Sequence, residues 1–288
     1  MEDEMTLNAL LRRMRAIIAP ETGEQEAAAI AREIMYDLKG WDLTQLAIRD
    51  GDPVSAFTAD KALEAARRVA AGEPVQYIFG TARFYGMNFK VTPATLIPRP
   101  ETAELVDLII KEYGETKDLR VLDIGTGSGC IAIALRRFLP FPEVTAIDVS
   151  PEALAVARAN AAALKAPVNF VEEDILRAVP GPERYDIIVS NPPYIADSER
   201  ASMERNVLDH EPASALFVPD SDPLLFYRAI LRYADTTLAP SGRVYFEINP
   251  LYAAELSRLA LSLGFASPLL LPDSSTRPRF AVISRNLL

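Results

Sequence analysis

The stretch Ser190-Asn191-Pro192-Pro193-Tyr194 combines residue types that could hold a planar NH2 group for reaction. Such a group is a poor nucleophile while its lone pair is delocalised, and it improves when acceptors hold both of its hydrogens. Asn191 offers a side-chain oxygen and Pro192 a backbone oxygen, and proline has no N–H that would compete as a donor. Pro193 keeps the chain extended, and Tyr194 adds a flat face. We therefore expect this stretch to be the catalytic and substrate-binding loop.

A second polar stretch, residues 123–129, reads Asp-Ile-Gly-Thr-Gly-Ser-Gly and follows an apolar run. Its glycines would let the backbone approach a ligand closely. The glycine spacing differs from the dinucleotide fingerprint, and a carboxylate at Asp123 would repel a pyrophosphate. A carboxylate suits a ligand with an ammonium and a sulfonium instead. We therefore expect S-adenosylmethionine as the cofactor, bound in part by Asp123, Gly125, Thr126, Gly127 and Gly129.

Two further carboxylates stand where later strands are predicted to end. Asp148 is placed to accept hydrogen bonds from both ribose hydroxyls, and capping of the helix at Pro151 is the alternative. Asp174 could accept from the adenine amino group, although it is also explained as one of three adjacent solvated acids. Neighbouring parallel strands would bring this cofactor site close to Asn191, which we also count as cofactor-binding. The reaction would be direct displacement at a methyl group, which requires neither a metal nor a general base.

The elements that must position these residues alternate from residue 120 onward, which predicts an α/β fold with a parallel sheet between helices. Strands are predicted at 121–124, 143–147, 168–171, 185–190, 243–248, 265–271 and 280–284. Helices are predicted at 102–113, 130–139, 151–164, 224–238 and 252–263. The last two strands lack a crossover helix, so we expect an antiparallel pair at one edge of a seven-stranded, Rossmann-like sheet.

The N-terminal part has a different pattern. Helical periodicity over 6–18, 24–38, 43–48 and 58–71, the last capped by Thr58 or Asp60, predicts a small helical bundle in residues 1–71. Because its apolar stripes carry no catalytic group, we expect it to recognise a partner. Residues 72–100 are expected to form a β-hairpin linker, with a strand at 75–79 and a hairpin at 84–91. Residues 101–288 would be the cofactor-binding domain.

Composition limits the class of protein. The 288 residues are 49% hydrophobic with a net charge of −10, and Cys130 is the only cysteine. This predicts a cytoplasmic globular protein without disulfides, and the apolar runs are too short for a membrane span. The acidic balance argues against direct nucleic-acid binding, because such binding neutralises phosphates with Lys and Arg.

Four motifs together closely resemble the peptide-chain release factor glutamine methyltransferases. They are Gly-Glu-Pro-Val-Gln-Tyr-Ile (72–78), Leu-Ile-Pro-Arg-Pro-Glu-Thr (96–102), Asp-Ile-Gly-Thr-Gly-Ser-Gly-Cys-Ile-Ala (123–132) and Ser-Asn-Pro-Pro-Tyr-Ile (190–195). The resemblance implies a class I S-adenosylmethionine-dependent methyltransferase that modifies the side-chain amide nitrogen of the glutamine in the release factors' Gly-Gly-Gln motif. It also implies that Asn191, Pro192 and Tyr194 hold that amide, while Gly125, Asp148 and Asp174 surround the cofactor.

The chain departs from the family pattern at Ala103, at Asn249-Pro250 and in the loop 273–277. The roles of Arg99 and Glu101 stay open between function and a simple helix start. Two related activities also remain open: methylation of a ribosomal-protein glutamine, and of the adenine amino group in DNA, which the same kind of loop can hold. From other classes, the glycine spacing disfavours a dinucleotide oxidoreductase, and the intact loop at 191–194 disfavours an inactive cofactor-binding protein.

Overall fold

The computed structural model describes residues 5–286, and these form two compact units. The first unit runs to Thr81 and includes Glu204–His210, while the second comprises Ala82–Met203 and the chain from Glu211 onward. Within the described range, no helix is both long and apolar enough to cross a lipid bilayer.

The helices and strands are numbered here in chain order. The helices are Leu7–Thr22 (α1), Glu24–Lys39 (α2), Leu43–Ile48 (α3), Ala56–Ala70 (α4), Val75–Phe79 (α5), Pro100–Tyr113 (α6), Cys130–Phe138 (α7), Pro151–Ala163 (α8), Arg205–His210 (α9), Leu225–Thr237 (α10) and Ala253–Ser262 (α11). The strands are Thr81–Phe84 (β1), Met87–Lys90 (β2), Arg120–Ile124 (β3), Glu143–Asp148 (β4), Asn169–Glu172 (β5), Tyr185–Ser190 (β6), Ile195–Ala196 (β7), Phe217–Val218 (β8), Leu238–Glu247 (β9), Leu269–Pro272 (β10) and Pro278–Ser284 (β11).

The first unit is helical, as predicted, and has its own apolar core. Leu10, Met14, Ile34 and Ala62 are fully buried where α1, α2 and α4 pack together. The predicted cap of the last long helix was wrong: Ser55 caps α4, because its hydroxyl accepts the Thr58 N–H at 3.3 Å. The helix therefore begins at Ala56, two residues earlier than its apolar periodicity suggested.

The predicted strand at 75–79 is also wrong, since these residues form the short helix α5. Its β-branched and aromatic residues suggested a strand. The backbone signals on either side outweigh that composition: Pro74 precedes the first helical residue, and Gly80 ends the helix in the left-handed conformation. The predicted hairpin itself is present as β1 and β2.

The second unit contains the seven-stranded sheet, in the order β10-β11-β9-β6-β3-β4-β5. Strands β9, β6, β3, β4 and β5 are parallel, and β11 pairs antiparallel with both β9 and β10, which confirms the predicted edge pair. The strand predicted at 265–271 is shorter and interrupted: Leu269–Pro272 forms β10, and Phe265 makes an isolated antiparallel bridge to Arg285. Pro268 lacks the N–H that a longer ladder would need.

The sheet has a point where the chain reverses its direction of travel across the strands. After β3 the chain moves to β4 and β5 on one side, and β6 then returns to the other side of β3. Two apolar layers hold this arrangement, with Val121 and Val189 in one and Leu122 and Ile188 in the other. Ligands of open α/β sheets bind at the carboxyl ends of strands at such a point.

Candidate active site

A cavity of about 390 Å³ opens at the carboxyl ends of β3, β4 and β6. Ile124 is in register with Ile147 on one side and with Ser190 on the other, so three polar loops leave the sheet at one level. The cavity brings together predicted site residues from separate motifs: Gly125, Thr126, Gly127, Asp148, Asp174, Asn191, Pro192 and Pro193. Its volume falls within the range of roughly 300–1,000 Å³ that is usual for small-ligand sites.

Three predicted site residues are not part of this lining within residues 5–286: Asp123, Gly129 and Tyr194. Asp123 is completely buried. Gly129 precedes the first residue of α7. The Tyr194 ring packs against an apolar core cluster, and its hydroxyl donates to Glu247. Each of the three therefore lies behind the residues that line the cavity.

The glycine loop has two kinds of glycine. A Cβ added at Gly125 or Gly127 would meet no other atom within 4 Å, so these positions border open space. A Cβ at Gly129 would lie 3.1 Å from both the Ala157 Cβ and the Ile133 Cδ1. The first two glycines thus leave the backbone open to a ligand, whereas Gly129 allows two helices to pack closely.

Asp123 lies below this loop as a buried carboxylate. Its Oδ2 accepts from the Thr126 hydroxyl at 2.6 Å and from the Ala132 N–H at 3.2 Å, which holds the loop and the start of α7. Its Oδ1 is buried without a hydrogen-bond partner in the described residues. Burial raises the pKa of Asp123 to about 7, although the Thr126 hydrogen bond opposes the shift. A buried acceptor of this kind suits a nearby cation.

Asp148 stands at the end of β4, facing the cavity. One oxygen accepts the Gly127 N–H at 2.8 Å and the other accepts the Ser150 N–H at 2.9 Å. The alternative of helix capping is wrong, because Ser150 caps α8 by accepting the Ala153 N–H. Burial raises the pKa of Asp148. Each carboxylate oxygen keeps acceptor capacity for a ligand.

Asp174 follows β5 and also lines the cavity. Its Oδ1 accepts the Leu176 N–H at 2.9 Å, and Arg177 lies 3.6 Å from Oδ2. The local turn therefore fixes this side chain at the cavity edge, where the adjacent Glu173 also lines the cavity and Glu172 does not.

The loop after β6 is anchored at both ends. The Asn191 Nδ2 donates to the Thr102 Oγ1 at 3.1 Å, and the Tyr194 hydroxyl donates to the Glu247 Oε1 at 2.9 Å. Within residues 5–286 no hydrogen bond occupies the Asn191 Oδ1, and Asn191 lines the cavity. Pro192, which lies between Asn191 and Tyr194 in the loop, is buried. The loop thus presents an amide oxygen on a fixed backbone.

Sequence reasoning missed the residues that hold the loops. Thr102 and Glu247 support the loop after β6, and the buried Glu211 pairs with Arg99 and accepts the Ile97 N–H at 3.0 Å. The sequence left the role of Arg99 open, and the structure shows that this residue forms an ion pair with Glu211 at the cavity wall. Thr102 and Arg99 lie in the motif 96–102, but their partners are 89 to 145 positions away in sequence, so no local spacing signals these contacts.

The buried Asn160 was missed in the same way. It donates to the Ser128 and Lys90 carbonyls, both at 2.9 Å, and accepts the Lys90 N–H at 2.7 Å. One amide side chain on α8 therefore joins the β1–β2 hairpin to the glycine loop.

The chemistry of these groups fits S-adenosylmethionine, the cofactor expected from the sequence. Its ammonium and sulfonium are cations, and the orphaned Oδ1 of Asp123 lies buried beneath the loop. Its ribose and adenine need acceptors, which Asp148 and Asp174 offer at the cavity. Open space next to Gly125 and Gly127 leaves room for its bulk.

Comparison with known proteins agrees with this architecture. Residues 9–80 match the family model described as the PrmC N-terminal domain, and residues 103–215 match the methyltransferase small domain. The release factor glutamine methyltransferase of Bacteroides thetaiotaomicron is 48% identical over 237 residues, which is 82% of this chain and 84% of that protein. The enzyme of the same name from Cereibacter sphaeroides is 40% identical over 259 residues, covering 89% and 91% of the two chains.

Solved structures support the fold. A methyltransferase from Pyrococcus furiosus superimposes with a TM-score of 0.50 at 20% identity, over 69% of this chain and 88% of that one. The Thermus thermophilus 16S rRNA N2 G1207 methyltransferase, solved with AdoMet and guanosine, gives 0.50 at 18% identity, over 72% of this chain and 50% of that one. The sheet order, the glycine loop and the extended similarity to the curated relatives lead to one assignment: this chain belongs to the release factor glutamine methyltransferase family.

Proposed function

We propose that this protein transfers a methyl group from S-adenosylmethionine to the side-chain amide nitrogen of the glutamine in the Gly-Gly-Gln motif of peptide-chain release factors. The family assignment supports methylation of a release factor glutamine, since the relatives are named release factor glutamine methyltransferases. The observation that carries the proposal is the anchored carboxamide of Asn191 at a cavity rimmed by glycines and carboxylates.

The loop after β6 binds and orients the substrate amide. The Asn191 Oδ1 accepts one hydrogen of the glutamine NH2, and the backbone carbonyl of Pro192 accepts the other. When the loop holds both hydrogens of the substrate NH2, the conformation in which the nitrogen lone pair is available is favoured. Because the two acceptors are already fixed, they do not have to reorganise during the reaction. S-adenosylmethionine, when bound, supplies a methyl group activated by a positively charged sulfur.

Three carboxylates around the glycine loop hold the cofactor. Asp148 accepts hydrogen bonds from the ribose, and Asp174 accepts from the adenine amino group. Asp123 supplies a negative charge beneath the glycine loop, where low polarity strengthens its attraction for a cation. The Tyr194 phenol stays neutral, because burial and the neighbouring Glu247 raise its pKa.

The helical first unit is the proposed recognition module for the release factor. It has a separate apolar core, and its residues 9–80 match a family model of their own. The segment Glu204–His210 belongs to the same unit. This segment lies between β6 and β9 in the sequence, and in this proposal it contributes to recognition together with the N-terminal helices.

A substrate panel tests the function. The full-length protein is incubated with S-adenosylmethionine carrying a labelled methyl group and with one of three acceptors: an intact release factor, a ribosomal-protein mixture or adenine-containing duplex DNA. We expect label in the release factor and none in a release factor whose Gly-Gly-Gln glutamine is replaced by alanine. Preferential labelling of either other acceptor would contradict the proposal.

A further inference from the structure

Asn191 is linked by hydrogen bonds, through Thr102, to the buried carboxylate of Glu247. Glu247 is 2% exposed, and each of its oxygens accepts from a hydroxyl: the Thr102 Oγ1 at 2.7 Å and the Tyr194 hydroxyl at 2.9 Å. An ionised carboxylate has no proton to donate, so both hydroxyls must direct their protons at it. Burial raises the pKa of Glu247, and the charge of Glu101 adds to that shift, whereas the two hydroxyl hydrogen bonds and the positive charge of Arg279 oppose it and so favour the ionised form.

The hydroxyl of Thr102 can therefore take only one hydrogen-bonding role toward Asn191. Its proton is committed to Glu247, so toward Asn191 its oxygen can only accept a hydrogen bond. The two ends of an asparagine carboxamide have nearly the same shape, and their hydrogen-bond partners decide which end points where. An accepting Thr102 therefore selects the NH2 end of Asn191 and turns its oxygen away.

We propose that Glu247 and Thr102 form a positioning relay that fixes the direction of the Asn191 carboxamide, so that its oxygen faces the substrate amide. This inference rests on the proposed function, because the substrate NH2 is the group that needs an acceptor there. A reversed Asn191 would direct its own NH2 at the substrate NH2, and two donors would face each other. In this scheme Thr102, although it lines the cavity, acts on the substrate through Asn191, and Glu247 acts through Thr102 and Tyr194.

The same carboxylate also fixes the far end of the loop. Glu247 accepts from Tyr194, and the buried Asn249 donates from its Nδ2 to the Tyr194 carbonyl at 3.1 Å and to Glu199 at 3.0 Å. Asn249 is one of the positions where the chain departs from the family pattern. In this chain its amide joins the end of β9 to the substrate loop, so the relay is part of a rigid frame.

Matched threonine variants test the relay by kinetics. Thr102→Val keeps the shape but removes the acceptor, and kcat should fall about 10- to 100-fold, the range found when the hydrogen-bond partner that orients a metal ligand is removed. The KM for the release factor and the affinity for S-adenosylmethionine should not change. Thr102→Ser restores the hydroxyl and should recover most of the lost turnover. Thr237→Val is the control, because it removes an equally buried hydroxyl that donates to the Tyr233 carbonyl.

An activity-independent readout separates the relay from the proposed function. In protein carrying isotope-labelled asparagine, the Asn191 side-chain NH2 signals are identified with the Asn191→Ala variant, and their hydrogen exchange is followed by NMR. We expect slow exchange in the wild type and Thr102→Ser, and fast exchange in Thr102→Val. If the wild type fails to methylate a release factor, the proposed function is wrong, while this exchange pattern still tests the relay. Unchanged exchange in Thr102→Val, or equal turnover in Thr102→Val and Thr237→Val, would overturn it.

Discussion

Asn191 combines two tasks at the residue scale, because one end of its carboxamide is held by Thr102 and the other is open to the cavity. Asn191→Ala removes the acceptor, so kcat should fall by roughly 10²- to 10³-fold, the usual loss for a preorganised catalytic hydrogen bond. Calorimetry should show a nearly unchanged affinity for S-adenosylmethionine, because in the proposal the Asn191 oxygen faces the substrate amide and not the cofactor, which sets aside the cofactor-binding role expected from the sequence. Asn191→Asp keeps an oxygen but loses the donor to Thr102, so it should retain partial activity. Loss of cofactor binding in Asn191→Ala would mean that the loop is only structural.

Asp123 gives a pH prediction. Its pKa is raised from 3.8 to about 7, chiefly by burial. The folded protein thus binds this proton more tightly than the unfolded chain does, and the stabilisation is fully present below about pH 4 and is lost as the pH rises through about 7. Compared with Asp123→Asn, which cannot titrate there, the wild type should lose about 2–4 kcal/mol of unfolding free energy across that window.

Urea unfolding of both proteins without ligand, at a series of pH values, measures this difference. Other carboxylates contribute equally to both proteins, so they cancel. A difference that is constant with pH, or that grows in favour of the wild type as the pH rises, would contradict the assignment of an uncompensated buried carboxylate at Asp123.

At the scale of elements, the glycine loop makes a paired prediction. Gly127 and Gly129 have φ of 55° and 80°, so alanine carries a similar backbone strain at either position. At Gly129 the new methyl would also meet Ala157 and Ile133 at 3.1 Å, whereas at Gly127 it would enter open space. Gly129→Ala should therefore lower the melting temperature more, and Gly127→Ala should weaken S-adenosylmethionine binding more. Thermal unfolding and calorimetry on both variants check this, and equal effects of the two substitutions would contradict the distinction.

The order of elements could be predicted from the sequence because each central strand is a short apolar run that ends in a polar loop. The seven-stranded sheet and its antiparallel edge pair are confirmed, and one cavity is lined both by Gly125, Thr126 and Gly127 and by Asn191, Pro192 and Pro193. The strand at 75–79 was wrong, because local composition competed with the flanking Pro74 and Gly80. Thr102 and Glu247 could not be predicted, since their contacts depend on the tertiary fold and not on local spacing.

The whole molecule consists of two units with different proposed tasks. If the first unit binds the release factor, exposed apolar side chains on it are candidate contacts: Leu43, Ile48 and Phe57 are 68%, 73% and 73% exposed. Changing all three to serine should lower kcat/KM for an intact release factor by about 10-fold or more, since burial of apolar surface is the dominant favourable contribution to most protein–protein association. Activity on a short Gly-Gly-Gln peptide should not change.

The control for this variant lies on the second unit, where Leu261 and Leu269 are 53% and 57% exposed. Replacing these two by serine should leave both substrates unaffected. Substitution is preferable to removing residues 1–71, because Val75–Phe79 and Glu204–His210 belong to the same unit and would lose their packing. Equal losses on protein and peptide would contradict a recognition role for the first unit.

The central claim is that one amide nitrogen of a release factor receives the methyl group. The most direct measurement is mass spectrometry of a release factor after incubation with the full-length protein and S-adenosylmethionine, with fragmentation that locates the added methyl. We predict a single methyl group on the side-chain nitrogen of the Gly-Gly-Gln glutamine, and none with Asn191→Ala. A methyl group on another residue, on a glutamine outside that motif, or at the same level with Asn191→Ala would contradict the account.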